Sequence, residues 1–366
     1  MRSTAPRSRR LIPIVPVALM ALVSCTAPAP VPRSSPQTVA ETTLAPPSSA
    51  GPAVRSVTAS GPIDLSSLSG RIAFSAGPPH AEDVYVIDAD GTNLVRVTSD
   101  PAADFDPTFA PDGTRIAYRH QPGDDPSTDI YVVGSTGSRP RDLTPNHDVA
   151  DWGPAWSPDG TEIVWNSERD TRGRFRGFLM RPAGSAVRPL GADVWVEYPA
   201  WSPDGSRLAF MAQTPEGSDN YEVFVVRADG TGLMRLTDSP GPDGWPSWSP
   251  DGTKILFSSV RDDCLYSRAP GCLSTGDIGP YHTLYVMDAD GSGQARLSDA
   301  FGQIADWSPD GRYVVFGGPD GLSLIRADGT GLTTLPTGVG ASTFPDWIAW
   351  PRWCRPRSTV GGRPLL

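Results

Sequence analysis

Histidine and cysteine are scarce, with four of each in 366 residues. The histidines, His80, His120, His147 and His282, stand far apart and never form an H-E-x-x-H spacing, so no metal-ligand motif is present. No G-x-S-x-G stretch occurs, which removes the nucleophile elbow of an α/β-hydrolase. Neither a metal nor a cofactor is expected on these grounds. Lys and Arg number 31 against 41 Asp and Glu, and no basic run follows residue 10. The clustered cations that a phosphate backbone needs are therefore missing, and nucleic acid is set aside as a partner. No aromatic residue precedes Phe74, and no apolar run is long enough to span a bilayer comfortably. What the chain has in quantity is Gly (38) and Pro (40), a composition that suits a turn-rich β protein.

The N-terminus reads as a targeting segment. "MRSTAPRSRR" is followed by the apolar "LIPIVPVALMALV" and then by "LVSC" at Leu22 to Cys25. This resembles the lipobox of bacterial lipoproteins. The resemblance implies a signal peptide over residues 1–24, cleavage behind Ser24, and lipidation of Cys25, whose two or three acyl chains would anchor the protein stably. An ordinary cleaved secretory signal is the other reading. Without residues 1–24 the charge is 27 basic against 41 acidic groups, or −14. Residues 25–69 are rich in Pro, Ala, Ser and Thr, too poor in apolar surface to offset their ordering entropy, and are expected to form a disordered tether. Its coil span is on the order of 35 Å. The implied location is extracytoplasmic, anchored to the cell membrane.

A five-residue repeat dominates the rest. "WSPDG" begins at Trp156, Trp201, Trp248 and Trp307, with "FAPDG" at Phe109. Pro presets φ, Asp tolerates the next position and Gly accepts positive φ, so S-P-D-G closes a tight hairpin. An apolar strand follows each turn, as in "RIAY" from Arg115 or "RLAF" from Arg207, then a second strand ending in its own turn, as in "EVFVVRADG" from Glu222. The "DADG" stretches at Asp88 and Asp288 lack the later acids of an EF-hand loop and read as hairpin turns. Four strands per repeat predict a β-propeller, and counting second strands predicts six blades. The first blade, starting at "RIAF" (Arg71 to Phe74), lacks an inner strand, while "FPDWIAW" (Phe344 to Trp350) is an inner strand without a blade. A terminal strand closing the first blade removes the free sheet edge. The propeller is expected over 70–353 as a monomeric body, with a tail at 354–366.

These motifs resemble the PD40, or TolB-like, six-bladed propeller family over roughly 70–353. The resemblance implies the fold and the accessory half of such systems, without catalytic chemistry; the lipobox and tether stand where the Tol-system protein carries an additional α/β domain.

Binding on a propeller usually resides in its variable loops. All four histidines are expected in or beside the long loops on the face opposite the S-P-D-G turns. The candidate ligand-binding residues there are Asp106, His147, Trp152, Glu197, Tyr198 and Trp245. Asp104, Asp151 and Asp243 each stand five residues before the inner-strand aromatic, a recurrence that points to hydrogen bonding within the loops. Aromatics beside acids suit a sugar or a peptide, so the expected function is a binding module for a protein partner or an envelope glycan. The alternative is a hydrolase or lyase acting on a sugar or lactone, with His147 as base and Glu197 or Asp106 as acid or metal ligand. Cys264 and Cys272 share the longest loop and are expected to form a disulfide; pairing of either with Cys354 stays open.

Overall fold

The computed structural model describes residues 61–123, 127–145, 149–169, 175–191, 195–214, 220–263, 282–318, 321–340 and 342–349. Cys25, His147, the three remaining cysteines and the C-terminal tail lie outside the described residues.

The S-P-D-G turns form as their letters require. Gly160 has φ +71°, and its N–H donates to the Ser157 carbonyl at 2.8 Å. The turn aspartates Asp159, Asp204, Asp251 and Asp310 accept from the serine hydroxyl two residues earlier at 2.6, 2.6, 2.7 and 2.7 Å. Those bonds favour the ionised carboxylate and draw Asp204 down to about 2, with the Ser202 hydroxyl contributing most.

Between the turns the described strands assemble into six antiparallel blades of four. The first blade is β1 (Arg71–Ala76), β2 (Asp83–Asp88) and β3 (Val95–Arg96), and the second is β4 (Ala103–Phe109), β5 (Arg115–Gln121), β6 (Asp129–Gly134) and β7 (Arg141–Asp142). The third comprises β8 (Asp151–Trp156), β9 (Ile163–Ser167), β10 (Arg176–Arg181) and β11 (Ser185–Pro189); the fourth, β12 (Glu197–Trp201), β13 (Arg207–Gln213), β14 (Tyr221–Arg227) and β15 (Met234–Arg235). The fifth holds β16 (Asp243–Trp248), β17 (Lys254–Ser259), β18 (Thr283–Asp288) and β19 (Ala295–Phe301); the sixth, β20 (Ala305–Trp307), β21 (Tyr313–Gly318), β22 (Gly321–Arg326) and β23 (Thr333–Thr334). The last strand, β24 (Ser342–Ile348), is the inner strand of the first blade, pairing with β1 from Arg71↔Ile348 to Ala76↔Ser342. A single further pair, Gly318↔Ser342, touches the sixth blade. The ring closes as the sequence predicts.

The core is divided among the six interfaces between blades. Each apolar cluster joins one neighbouring pair and contains the inner-strand aromatic: Phe109, Trp156, Trp201, Trp248, Trp307 or Trp347. An arginine opening the second strand of the preceding blade caps some of these rings, with Arg115 4.7 Å from Trp156 and Arg207 4.7 Å from Trp248. The recurring tryptophan is thus a wedge between blades.

The folded body begins earlier than the tether boundary at Ser69 implies. Ile63 is buried and its N–H donates to Thr333 Oγ1 at 2.8 Å, while Leu65 and Leu68 pack on the cluster between the sixth and first blades. Three aliphatic side chains in six residues suffice to hold this segment down. Among the described residues no helix is long and apolar enough to cross a membrane.

Candidate functional site

Aligned on the wedge aromatic, the inner strands share a second feature. The residue three positions before it has positive φ in five blades: Asp106 (+53°), Gly153 (+54°), Tyr198 (+49°), Trp245 (+50°) and Phe344 (+54°). Each precedes a proline, and the strand register shifts at the same point in all five. The pair forms a β-bulge, where a proline costs no ladder hydrogen bond. In the sixth blade the pair is Ile304-Ala305, and Ile304 does not have positive φ.

The bulge re-aims side chains toward the central channel. A cavity of about 280 Å³ there is lined by the bulge residues, by the positions just before the wedge aromatics (Thr108, Ala155, Ala200, Ser247, Asp306 and Asp346), and, toward the turns, by Trp156, Trp201, Trp248 and Pro158. The candidate residues are therefore not in loops, as their sequence surroundings suggest. Asp106, Trp152, Glu197, Tyr198 and Trp245 all lie on inner strands, where the bulge breaks the alternation that would have marked a strand. Asp106, Tyr198 and Trp245 reach the cavity, whereas Trp152 and Glu197, one residue earlier in the repeat, do not line it. Trp152 packs 4.5 Å from Phe175. Glu197 is buried and accepts a hydrogen bond from Trp195 Nε1; burial raises its carboxyl to about 7.

An aromatic layer crosses the channel. Tyr198 and Phe344, from opposite blades, stack at 6.0 Å with 19° between their planes, and Trp245 lies 6.0 Å from Tyr198. Gly153 stands beside this layer, where a Cβ would touch the Tyr198 ring at 3.4 Å and come within 2.9 Å of Asn166 Oδ1. His282 meets Trp245 edge-on at 5.6 Å, and burial lowers it to about 4, so it is a neutral packing group at pH 7.

Three carboxyls share the channel. Asp106 is buried 3.4 Å from Arg119 Nε, and the Arg119 guanidinium lies over Phe105 at 4.4 Å and Trp152 at 5.4 Å. Asp306 accepts from Ser247 Oγ at 2.6 Å and from the Trp347 N–H at 2.8 Å, tying the fifth, sixth and first blades together. Asp346 accepts from the Phe109 N–H at 2.8 Å. Burial, then repulsion from Asp306, pushes Asp346 up, and burial does the same to Asp306. Phe344, Asp306 and Asp346 are not among the sequence candidates. Counting three and one residues back from each wedge aromatic would find them.

Asp104, Asp151 and Asp243 are wholly buried at the starts of their strands. Their partners stand on the adjacent strand or just beyond it: His120 Nδ1 at 2.8 Å from Asp104, Arg169 at 2.8 Å from Asp151, and Arg261 beside Asp243. They bond within the blade, to its second strand in the case of His120 and to the start of the loop after that strand in the case of Arg169 and Arg261.

Comparison with known proteins agrees with this architecture. The TolB beta propeller domain family, PD40, matches residues 192–264. No curated protein matches the sequence. TolB from Acinetobacter baumannii superposes with a TM-score of 0.61 at 21% identity, covering 78% of this chain and 68% of that one. A TolB-type protein from Agrobacterium tumefaciens gives 0.56 at 19% identity, covering 77% of this chain and 99% of its own. A chain of the nidogen/laminin complex gives 0.57 at 11% identity, covering 76% and 98%. The fold is a TolB-like six-bladed β-propeller.

Proposed function

We propose that this TolB-like propeller is a binding module, held outside the cytoplasm by a lipid on Cys25 and a tether, that captures a protein partner through its channel. The observation that carries the reading is the bulge repeated in five blades. Holding a non-glycine residue at positive φ costs on the order of 1 kcal/mol or more. Four such residues, Asp106, Tyr198, Trp245 and Phe344, bear that cost around one cavity.

The chemistry of the cavity indicates the kind of ligand. Aromatic faces attract a cation through the ring quadrupole, and the carboxyl oxygens beside them can accept its hydrogen bonds. A volume of about 280 Å³ lies at the lower end of the ~300–1,000 Å³ of sites that enclose drug-sized molecules. It suits one or two inserted side chains, such as Lys or Arg from an extended segment, better than a run of sugar rings. That favours a protein partner over an envelope glycan. The hydrolase or lyase reading gains less support: Glu197 lies off the cavity under Trp195 and Asp106 is engaged by Arg119.

In-cell crosslinking with the intact lipoprotein, run beside a folded Tyr198→Ala/Trp245→Ala variant, tests the proposal. A protein enriched with the parent and lost with the variant is expected. Equal capture by both forms would place recognition elsewhere.

A further inference from the structure

We propose that Asp100, Asp104 and His120, where the chain passes from the first blade into the second, form a site for a divalent cation of the Zn²⁺ or Mn²⁺ type. One donor atom from each lies within 4.8 Å of the others. Asp104 is wholly buried and its Oδ2 accepts no hydrogen bond, while Asp100 is exposed. An ion would thus have a fixed inner anchor and an open outer side. His120 Nδ1 and Asp104 Oδ1 are 2.8 Å apart. Two donors each ~2.1 Å from one ion are about 3.0 Å apart in an octahedral site and about 3.4 Å apart in a tetrahedral one, so an ion can replace the proton they share once the pair opens by less than about 1 Å. The imidazole is held by Tyr131, 4.4 Å away, and by the edge of Tyr118 at 6.4 Å.

The other blades supply an internal control. "TSDPAAD" (Thr98 to Asp104) and "TDSPGPD" (Thr237 to Asp243) occupy the same place in the second and fifth blades, with Thr, Pro and the final Asp in register. Ser239 stands where Asp100 stands. In the ladders Asp104 opposes His120 and Asp243 opposes Ser259. Two residues further on, the second blade has Pro122 and the fifth has Arg261, whose guanidinium neutralises Asp243. The third blade follows the fifth, with Ser167 opposite Asp151 and Arg169 supplying the charge. In the second blade both hydroxyl positions carry metal-ligand residue types and the arginine is gone. Two carboxyl groups and one imidazole face one another there. The arginine that the third and fifth blades carry on their own chain is absent here, and a cation from solution would take its place. One imidazole and two carboxylates favour Zn²⁺ or Mn²⁺ over Ca²⁺, which prefers oxygen alone.

The test uses the full mature chain, stripped with EDTA and titrated with ZnCl₂ by calorimetry, with bound zinc counted by mass spectrometry. The parent is expected to hold one zinc. Asp100→Ser and His120→Ser, which install the residues of the fifth blade, are each expected to weaken binding by at least about tenfold. Asp100 is exposed, so Asp100→Ser decides the matter even if His120→Ser fails to fold. A parent that binds no zinc, unchanged affinity in Asp100→Ser, or displacement of zinc by an equal concentration of Ca²⁺ would overturn the proposal.

Discussion

Replacing Glu197 by Gln tests how burial sets the electrostatics of the inner strands. The Glu197 side chain is almost fully buried, and removal from water raises it from 4.5 to about 7, with the Trp195 hydrogen bond opposing the rise. A carboxyl whose folded-state value is raised stabilises the fold fully below its unfolded value and loses that contribution as pH rises through the folded one. The window is therefore about pH 4.5 to 7. Above it the buried carboxylate costs about 3 kcal/mol, since each pH unit across that window is worth roughly 1.4 kcal/mol. Gln keeps the acceptor for Trp195 Nε1 and cannot ionise. The variant should match the parent near pH 4 and exceed it at pH 8 by up to about 3 kcal/mol, or about 5 °C in Tm for a domain of this size. Urea unfolding and thermal melts at the two pH values measure this. Equal stability of parent and variant at pH 8 would refute the reasoning.

Arg261→Ala strips the partner from a wholly buried Asp243 and should cost about 3–5 kcal/mol in urea unfolding, much of it restored by adding Asp243→Asn. Gly153→Ala places a Cβ 2.9 Å from Asn166 Oδ1 at φ +54°, so a loss of about 1–2 kcal/mol is expected by thermal melt. Gly61→Ala, with nothing within 4 Å, should leave Tm unchanged. Cys25→Ser should move the protein from the membrane fraction to the soluble one, and retention in the membrane would defeat the lipoprotein reading. Peptide mapping without reduction should find Cys264 and Cys272 linked.

The ring and its closure are legible in the sequence because they rest on local chemistry repeated many times. Each S-P-D-G needs only its own backbone, and "FPDWIAW" matches an inner strand whatever lies around it. The channel is less legible, because the bulge defeats the alternation by which strands are recognised. Asp106, Tyr198 and Trp245 stand out by residue type, yet their surroundings point to loops. Phe344, Asp306 and Asp346 sit at equivalent points of the repeat, inside segments that look purely structural. Glu197 and Trp152 pair with the cavity residues by adjacency in sequence, and the shifted register at the bulge turns them away from the channel. In the cluster of Asp100, Asp104 and His120, the histidine stands sixteen residues beyond Asp104 on the neighbouring strand, a distance no local motif spans.

The measurement that bears most directly on the channel as a binding site is hydrogen-exchange footprinting of the crosslinked complex. Protection is expected to concentrate in Asp106–Thr108, Tyr198–Ala200, Trp245–Ser247 and Phe344–Asp346, the bulged segments that face the cavity. Protection confined to the outer strands, with those segments exchanging as in the free protein, would contradict recognition through the channel.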